Sequence, residues 1–306
     1  MTLQALLGLS FLMLGADAVQ QRVGPTPVST SVMTLLALGA LATVGMWSEG
    51  CLLLPMWIVG LSMQWLWTRS GTSVLSLEVY RGIALTVLAV FFQTLLRVYL
   101  LEAMYAFQPA WWGLSALGVG LLAQIIVLLL VEELVAYWIH RLDHTIPILW
   151  RLHRLHHATT ELNLFATDRD HPWFTFVRFF TMFAVSFTLG VSAEALLVAG
   201  IIRGTVNTTN HWDVDFPRFD GWWRGWSLLV STPNYHAWHH TVHAGDRANL
   251  AELLPVVDWI FGTLEVPQGD PAEWEFGLVE SERVPVGLAE QLLSPVWSMP
   301  VRRGGE

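Results

Sequence analysis

Four sparsely charged apolar segments, at residues 32–46, 52–67, 83–104 and 114–139, limit what this chain can fold into. A bilayer demands roughly 20 apolar residues per crossing helix. It admits only helices or closed barrels, because backbone N–H and C=O groups find no water there. The segments therefore predict four transmembrane helices in an all-α, integral-membrane fold. The first two are short and separated only by residues 47–51, which predicts a tight helical hairpin. The third carries Arg97 and Glu102 near one end, where long side chains reach the interface. Composition agrees: of 306 residues, 54% are hydrophobic and 13% charged, against about 25% charged in a soluble domain. The 17 Trp favour membrane–water boundaries.

Charge and cysteine usage exclude several classes. A formal net charge of -9 offers no basic footprint for nucleic acid. The single Cys51 excludes an intrachain disulfide framework and a cysteine metal cluster; at the head of an apolar segment it reads as a small buried residue. Residues 5–15 are apolar but follow no positive n-region, so they read as a short interfacial or re-entrant helix and not as a secretory signal. Arg22, Arg69 and Arg81 flank the segments on one side, while 48–50 and 107–112 contain no Arg. The positive-inside tendency places those arginines in the cytoplasm, and four spans return the chain there at His140. In a prokaryote the membrane would be the inner one.

The expected organisation is membrane-spanning helices over 1–139, a cytoplasmic helical cap over 140–265, and a Pro- and Glu-rich cytoplasmic tail over 266–306 with little regular structure. Residues 174–202 are apolar but interrupted by Arg178, Gly190 and Glu194. They read either as two further spans or as an in-plane helical pair under the bilayer. The polar, Trp-rich stretch 207–226 is expected at headgroup level.

Histidine distribution carries the chemistry. Of 11 His, five fall within 140–157 and four within 236–243, where an even spread would place about one in all. His140 and His144 are spaced i, i+4; His153, His156 and His157 are spaced i, i+3, i+4; His236, His239 and His240 repeat that triplet. On helices each set shares one face. A lone histidine on an apolar face is usually a packed core residue, but three such sets point to metal ligation. Imidazole suits Fe, Zn, Cu and Ni. Eight ligands exceed one ion's ordinary coordination, whereas two ions held close together account for them. His171, His211 and His243, taken singly, fit a ligand, substrate-facing or structural role alike.

Other polar residues have candidate roles. A structural zinc site would want four ligands, often including Cys, and the Glu-x-x-His pattern of soluble di-iron bundles is missing. Glu132 and Glu133 are intramembrane acids and functional candidates. At a rise of about 1.5 Å per residue, Glu133 lies roughly 10 Å above His140, so it should line a substrate channel or satisfy a buried partner. Asp143, Asp168, Asp170, Asp213 and Asp215 lie near the histidines, either as acceptors for imidazole N–H groups or as solvated and capping acids. Arg141, Arg151 and Arg154 are expected to meet lipid phosphate or neighbouring carboxylates.

With these residues in view, the chain resembles the fatty acid hydroxylase/sterol desaturase superfamily of membrane histidine-box di-iron enzymes. The resemblance covers about 130–265. It rests on His140-Arg-Leu-Asp-His144, on Trp150-Arg-Leu-His153-Arg-Leu-His156-His157 and on Pro233-Asn-Tyr-His236-Ala-Trp-His239-His240, supported by Asn210-His211 and Asp258-Trp-Ile-Phe-Gly-Thr263. It implies two ferrous ions that use O2 to remove hydrogen from an unactivated C–H bond of a lipid. The implied catalytic and metal-binding set is His140, His144, His153, His156, His157, His236, His239 and His240, with His211 as a ninth metal ligand. Each iron is expected to draw on all three boxes, and adjacent pairs such as His156–His157 to divide between the irons. The implied reaction is hydroxylation of a fatty acyl, sterol or related lipid; desaturation or ether-lipid cleavage are alternatives within the superfamily. No cytochrome b5-like domain is fused, so electrons should come from a separate reductase, ferredoxin or cytochrome b5-like donor. Outside that class, a His-rich membrane metal transporter or sensor, or a structural zinc protein, also fits the histidines.

Overall fold

A computed structural model describes residues 3–24, 26–47, 54–67, 75–96, 106–109, 111–214, 226–244, 247–279, 284 and 287–297. Among these residues every regular element is helical, apart from an isolated antiparallel bridge between Thr241 and Phe276. In chain order they are α1 (Leu3–Val23), α2 (Pro27–Trp47), α3 (Leu54–Trp67), α4 (Leu77–Leu96), α5 (Leu121–Thr145), α6 (Pro147–His157), α7 (Pro172–Leu189), α8 (Ala193–Asn210), α9 (Pro233–His239), α10 (Val256–Phe261) and α11 (Leu288–Trp297). A helical turn at Gly113–Ala116 precedes α5, and 3-10 turns occur at Leu164–Asp168 and Pro271–Glu273. The 47–51 hairpin turn with Cys51, and Arg69, Arg97, Glu102 and Asp215, lie largely or wholly outside the described residues.

Three described helices are long and apolar enough to cross a membrane: α4, α5 and α7. The expected third span begins earlier, at Leu77. The expected fourth begins later, at Leu121, and runs on to Thr145. At about 1.5 Å per residue α5 exceeds the roughly 30 Å hydrocarbon core, so its last turns, with His140 and His144, can project past it. The 174–202 region is two helices, α7 and α8, joined at Gly190, which caps α7 in the left-handed conformation.

Helix α4 is the central strut. Its residues Val79–Val87 are all buried, and α1, α2, α7 and the Leu164–Asp168 turn pack around it. That turn approaches closely because Gly82 has no side chain: a Cβ there would lie 2.7 Å from Cβ of Phe165. Two expectations about the termini need correction. The N-terminal stretch is not a short element but the 21-residue α1, whose Asp17 is buried and accepts from Nε of Arg81 at 3.1 Å. Burial of that polar residue inside the bundle is what made the apolar run look short. Arg81 also pairs with Glu78 at 3.1 Å, so it is a buried structural cation and not a loop charge that reports sidedness. The tail likewise contains a helix, α11, which packs on α1 and α6; the amide of Leu288 donates to Asp17 at 2.9 Å.

Candidate metal centre

Local sequence places each histidine. The residue before a proline disfavours helix, and α5 ends at Thr145, before Ile146-Pro147. Pro147 then opens α6, having no N–H to lose at a helix start. The break folds α6 back so that His153 and His157 face His140 and His144. Pro233 opens α9 in the same way, with the Thr232 hydroxyl accepting from the Tyr235 amide at 3.3 Å. His211 and His240 stand just past the ends of α8 and α9.

Nine buried imidazoles gather into two adjoining groups. His140, His144, His153, His157 and His239 form one; His156, His211, His236 and His240 form the other. Within each group one ring nitrogen per residue lies within 4.8 Å of all the others. The groups abut where His157 stacks on His240, with centroids 4.6 Å apart. Both adjacent pairs, His156–His157 and His239–His240, divide between groups. One group draws on all three boxes. The second takes nothing from His140 or His144, against the expectation that each would use every box; His211 supplies its fourth ring.

The nitrogens converge as ligands do. Nε2 of His153 lies 3.2 Å from Nε2 of both His140 and His157. Nε2 of His236 lies 3.1 Å from those of His211 and His240, and His211 Nε2 is 3.3 Å from His156 Nε2. Nitrogens each about 2.1 Å from one ion would stand roughly 3.0–3.4 Å apart. The tautomers agree. Nδ1–H of His140 donates to Leu250 O at 2.7 Å, that of His239 to Ala248 O at 2.7 Å, and that of His211 to Asn207 O at 2.9 Å. A carbonyl only accepts, so Nε2 of each carries a bare lone pair. For His239 that nitrogen is buried with no hydrogen-bond partner. Converging lone pairs repel unless a cation lies between them, and the donor set of neutral imidazoles fits a transition-metal ion.

Electrostatics keep the rings ready to ligate. Burial holds His153, His156, His157, His236 and His240 well below the usual histidine range, and His211 and His239 at about 4. All are neutral at neutral pH. Asp170 reaches between the groups, its Oδ1 3.8 Å from His153 Nδ1 and 4.0 Å from His156 Nδ1. Burial pushes its carboxyl up to about 8, against the pull of Arg178; a bound cation would reverse that.

These shifts predict acid sensitivity of the metal-free protein. The seven imidazoles bind protons more readily when unfolded, so stability is present above about 6.5 and is lost as pH falls toward about 4. The raised carboxyls of Asp168, Asp170 and Asp258 act oppositely but are three groups against seven. The unfolding temperature should therefore drop between about pH 7.5 and about pH 5; a flat or rising profile would contradict this assignment.

A strap at 248–254 supplies two of the three orienting carbonyls, and the Asp258–Thr263 piece holds it. Asp258 accepts from the amides of Leu250 at 2.8 Å and Ala251 at 2.7 Å, from the Thr263 hydroxyl at 2.6 Å and from the Tyr235 hydroxyl. Asn249, at a φ of 54°, ties the strap to the carbonyls of Tyr235 at 3.1 Å and Glu265 at 3.0 Å. Asp258→Asn replaces an accepting oxygen with a donor. Metal affinity should fall about 10–100-fold, as for other ligand-orienting partners, measurable by chelator competition; unchanged affinity would remove the strap from the account.

A charge network whose cations sequence reading missed braces the strap from the Glu132–Glu133 side of α5. Glu133 fills the second of its two expected roles, satisfying a buried partner: its Oε1 accepts from the amides of Glu252, Leu253 and Leu254 at 3.0, 3.0 and 3.1 Å. Arg203 reaches Glu132 at 3.3 Å, Glu133 at 3.2 Å and Glu252 at 3.2 Å, and Arg178 pairs with Glu252 as well. One signal was available: Arg178 and Arg203 interrupt apolar helices, and Glu132 and Glu133 are their natural counter-ions.

The remaining expectations divide. His171 is structural, its Nδ1 capping α7 at the Trp173 amide, 3.2 Å away, and its Nε2 donating to Leu292 O at 2.9 Å. His243 is exposed and outside both groups. Asp143 and Asp213 are buried. Arg141 donates to the Tyr137 hydroxyl at 2.8 Å and lies over Trp138. Residues 207–214 pack beside the second histidine group, with Asn210, His211 and Asp213 buried.

Comparison with known proteins agrees with this centre. Residues 125–263 match the family model described as fatty acid hydroxylase. The ornithine lipid hydroxylase OlsE of Rhizobium tropici is 30% identical over 173 residues, 56% of this chain and 50% of the relative. Methylsterol monooxygenase 1-3 of Arabidopsis thaliana is 27% identical over 154 residues, 47% and 48% of the two chains. The very-long-chain aldehyde decarbonylase CER1 of Arabidopsis thaliana is 26% identical over 165 residues, 52% of this chain and 25% of that one. The chain thus spans about half the length of the first two relatives, and no solved structure matches it significantly. The region that carries all nine clustered histidines thus matches the fatty acid hydroxylase family and is similar to lipid hydroxylases and sterol monooxygenases.

Proposed function

We propose that this chain is a membrane-bound, O2-dependent di-iron oxygenase that hydroxylates a C–H bond of a lipid. The observation that carries this reading is the pair of buried, all-imidazole groups of five and four rings beside a membrane-capable helix. His140, His144, His153, His157 and His239 would hold one ion, and His156, His211, His236 and His240 the second. Ferrous iron held there supplies the electrons and open coordination needed to activate O2 against an unactivated C–H bond.

The chain's own residues prepare that chemistry. Burial of every ring excludes bulk water from the centre. The carbonyls of Leu250, Ala248 and Asn207 fix the ring tautomers, and Asp170 is placed to balance added positive charge near His153 and His156. In this reading 1–139 anchors the protein with four spans, 140–265 forms the catalytic cap and 266–306 a tail on the same, cytoplasmic side. A separate reductase, ferredoxin or cytochrome b5-like protein delivers electrons. A transporter would favour ligands near the bilayer midplane, whereas these follow the end of a span.

The test is to place the purified full chain in lipid vesicles with ferrous iron, a chemical reductant and isotopically labelled O2. Labelled oxygen in a lipid product supports hydroxylation. Loss of two hydrogens without label identifies a desaturase. Iron-loaded protein that neither consumes O2 nor changes any supplied lipid overturns the reading.

A further inference from the structure

A groove of about 430 Å3 runs between α5, α6 and α7, on the outer side of two helices able to cross a membrane. Its volume is that of a small-molecule site. Leu134, Trp138 and Leu142 of α5 form one wall, and Val177 and Trp173 of α7 lie opposite. From Leu134 to Leu142 the wall extends roughly 12 Å along the helix. Charge is confined to Asp143 and Arg178, and Asp143 stands at the end of α5 that bears His140 and His144. The Thr181 hydroxyl, also in the lining, is already bonded to Val177 O at 2.8 Å.

Asp143 gives the groove its direction. It is 1% exposed, it lines the groove, and its Oδ2 is buried with no hydrogen-bond partner. Arg178 is already held by Glu252. A buried carboxylate oxygen without a donor carries a desolvation penalty that a ligand's O–H or N–H would remove. At the same end Phe174 forms part of the groove wall and packs on His153, with ring centroids 5.3 Å apart. One aromatic ring therefore lies between the groove and the first histidine group.

We infer that the groove holds a single alkyl chain of a lipid, with a hydroxyl or amide N–H head donating to Asp143 and the tail directed toward Leu134 and the middle of the span. The lipid keeps the orientation it has in a bilayer, and it enters sideways. The carbons next to its polar head come closest to His153, so the chemistry falls near the head and not near the methyl end. Only the naming of this lipid as substrate rests on the oxygenase reading; occupancy of the groove does not.

Two photoreactive long-chain alcohols test this on the metal-loaded full chain, one with a diazirine beside the hydroxyl and one with it at the methyl end. The first should label the segments around Leu149, Leu152 and Phe174, and the second those around Leu134 and Thr181. Val177→Trp, which fills the groove away from every clustered histidine, should cut both labels about tenfold while leaving bound metal unchanged. The matching methyl ether, unable to donate, should compete about tenfold less well than the free alcohol. If Val177→Trp does not fold, Leu134→Trp should remove the methyl-end label alone. Labels at the same positions from both probes, labels indifferent to both variants, or equal competition by the ether would overturn the inference. Correct labelling in a protein that oxidises no lipid would keep the groove and remove the oxygenase reading; lipid oxidation without groove labelling would do the reverse.

Discussion

His156→Ala should lower bound metal from about two ions per chain to about one, and abolish lipid oxidation. The group of His156, His211, His236 and His240 has only four rings, so each carries a larger share of its ion's binding than a ring in the group of five. Removing one leaves three and opens a small buried cavity where the ring stood. His239→Ala, by contrast, leaves four rings in the group of five, so its metal should be retained better even though activity falls. Metal analysis of both variants, with activity measured alongside, reads the difference. Equal and complete metal loss in both would show that the nine rings serve a single shared site; undiminished metal in His156→Ala would remove that residue from the ligands.

Glu133→Ala should destabilise the fold by about 3–5 kcal/mol, the cost of leaving a buried charge partner uncompensated. The side chain is fully buried, and it accepts from three consecutive backbone amides and from Arg203. Removing it strands two buried and two half-buried donors. The loss should also be felt at the metal centre, because the same strap presents the Leu250 carbonyl to His140. Chemical unfolding of the purified protein measures the first effect and chelator competition the second. A change within about 0.5 kcal/mol would mean that the amides of 252–254 find other acceptors.

The chemistry was legible in sequence because imidazoles spaced i, i+3, i+4 share a helix face whatever the tertiary fold. Their division between two groups was only partly so. Adjacent residues on a helix point about 100° apart, which separates His156 from His157 and His239 from His240. That the pair on α5 would serve one group alone depends on how α5 crosses α6 and α9, and no spacing encodes a crossing.

The scaffold around the centre left weaker traces. The 248–254 strap acts through backbone carbonyls, which have no side-chain signature. Arg178, Arg203 and Glu252 read as interruptions in apolar or loop sequence, since their meaning lies in partners 49 to 74 residues away. At the termini, α11 was misjudged because the tail is rich in Pro and Glu, and α1 because Asp17 is polar yet buried, holding Arg81 and the Leu288 amide. Hydropathy registers that residue as a break, whereas the fold uses it as a joint.

Metal quantitation combined with iron X-ray absorption on the ferrous-reconstituted full chain tests the central claim most directly. Two irons per chain, surrounded by nitrogen and oxygen neighbours with the scattering pattern of several imidazoles, is the predicted result. One ion or none per chain, or iron without imidazole neighbours, would contradict it.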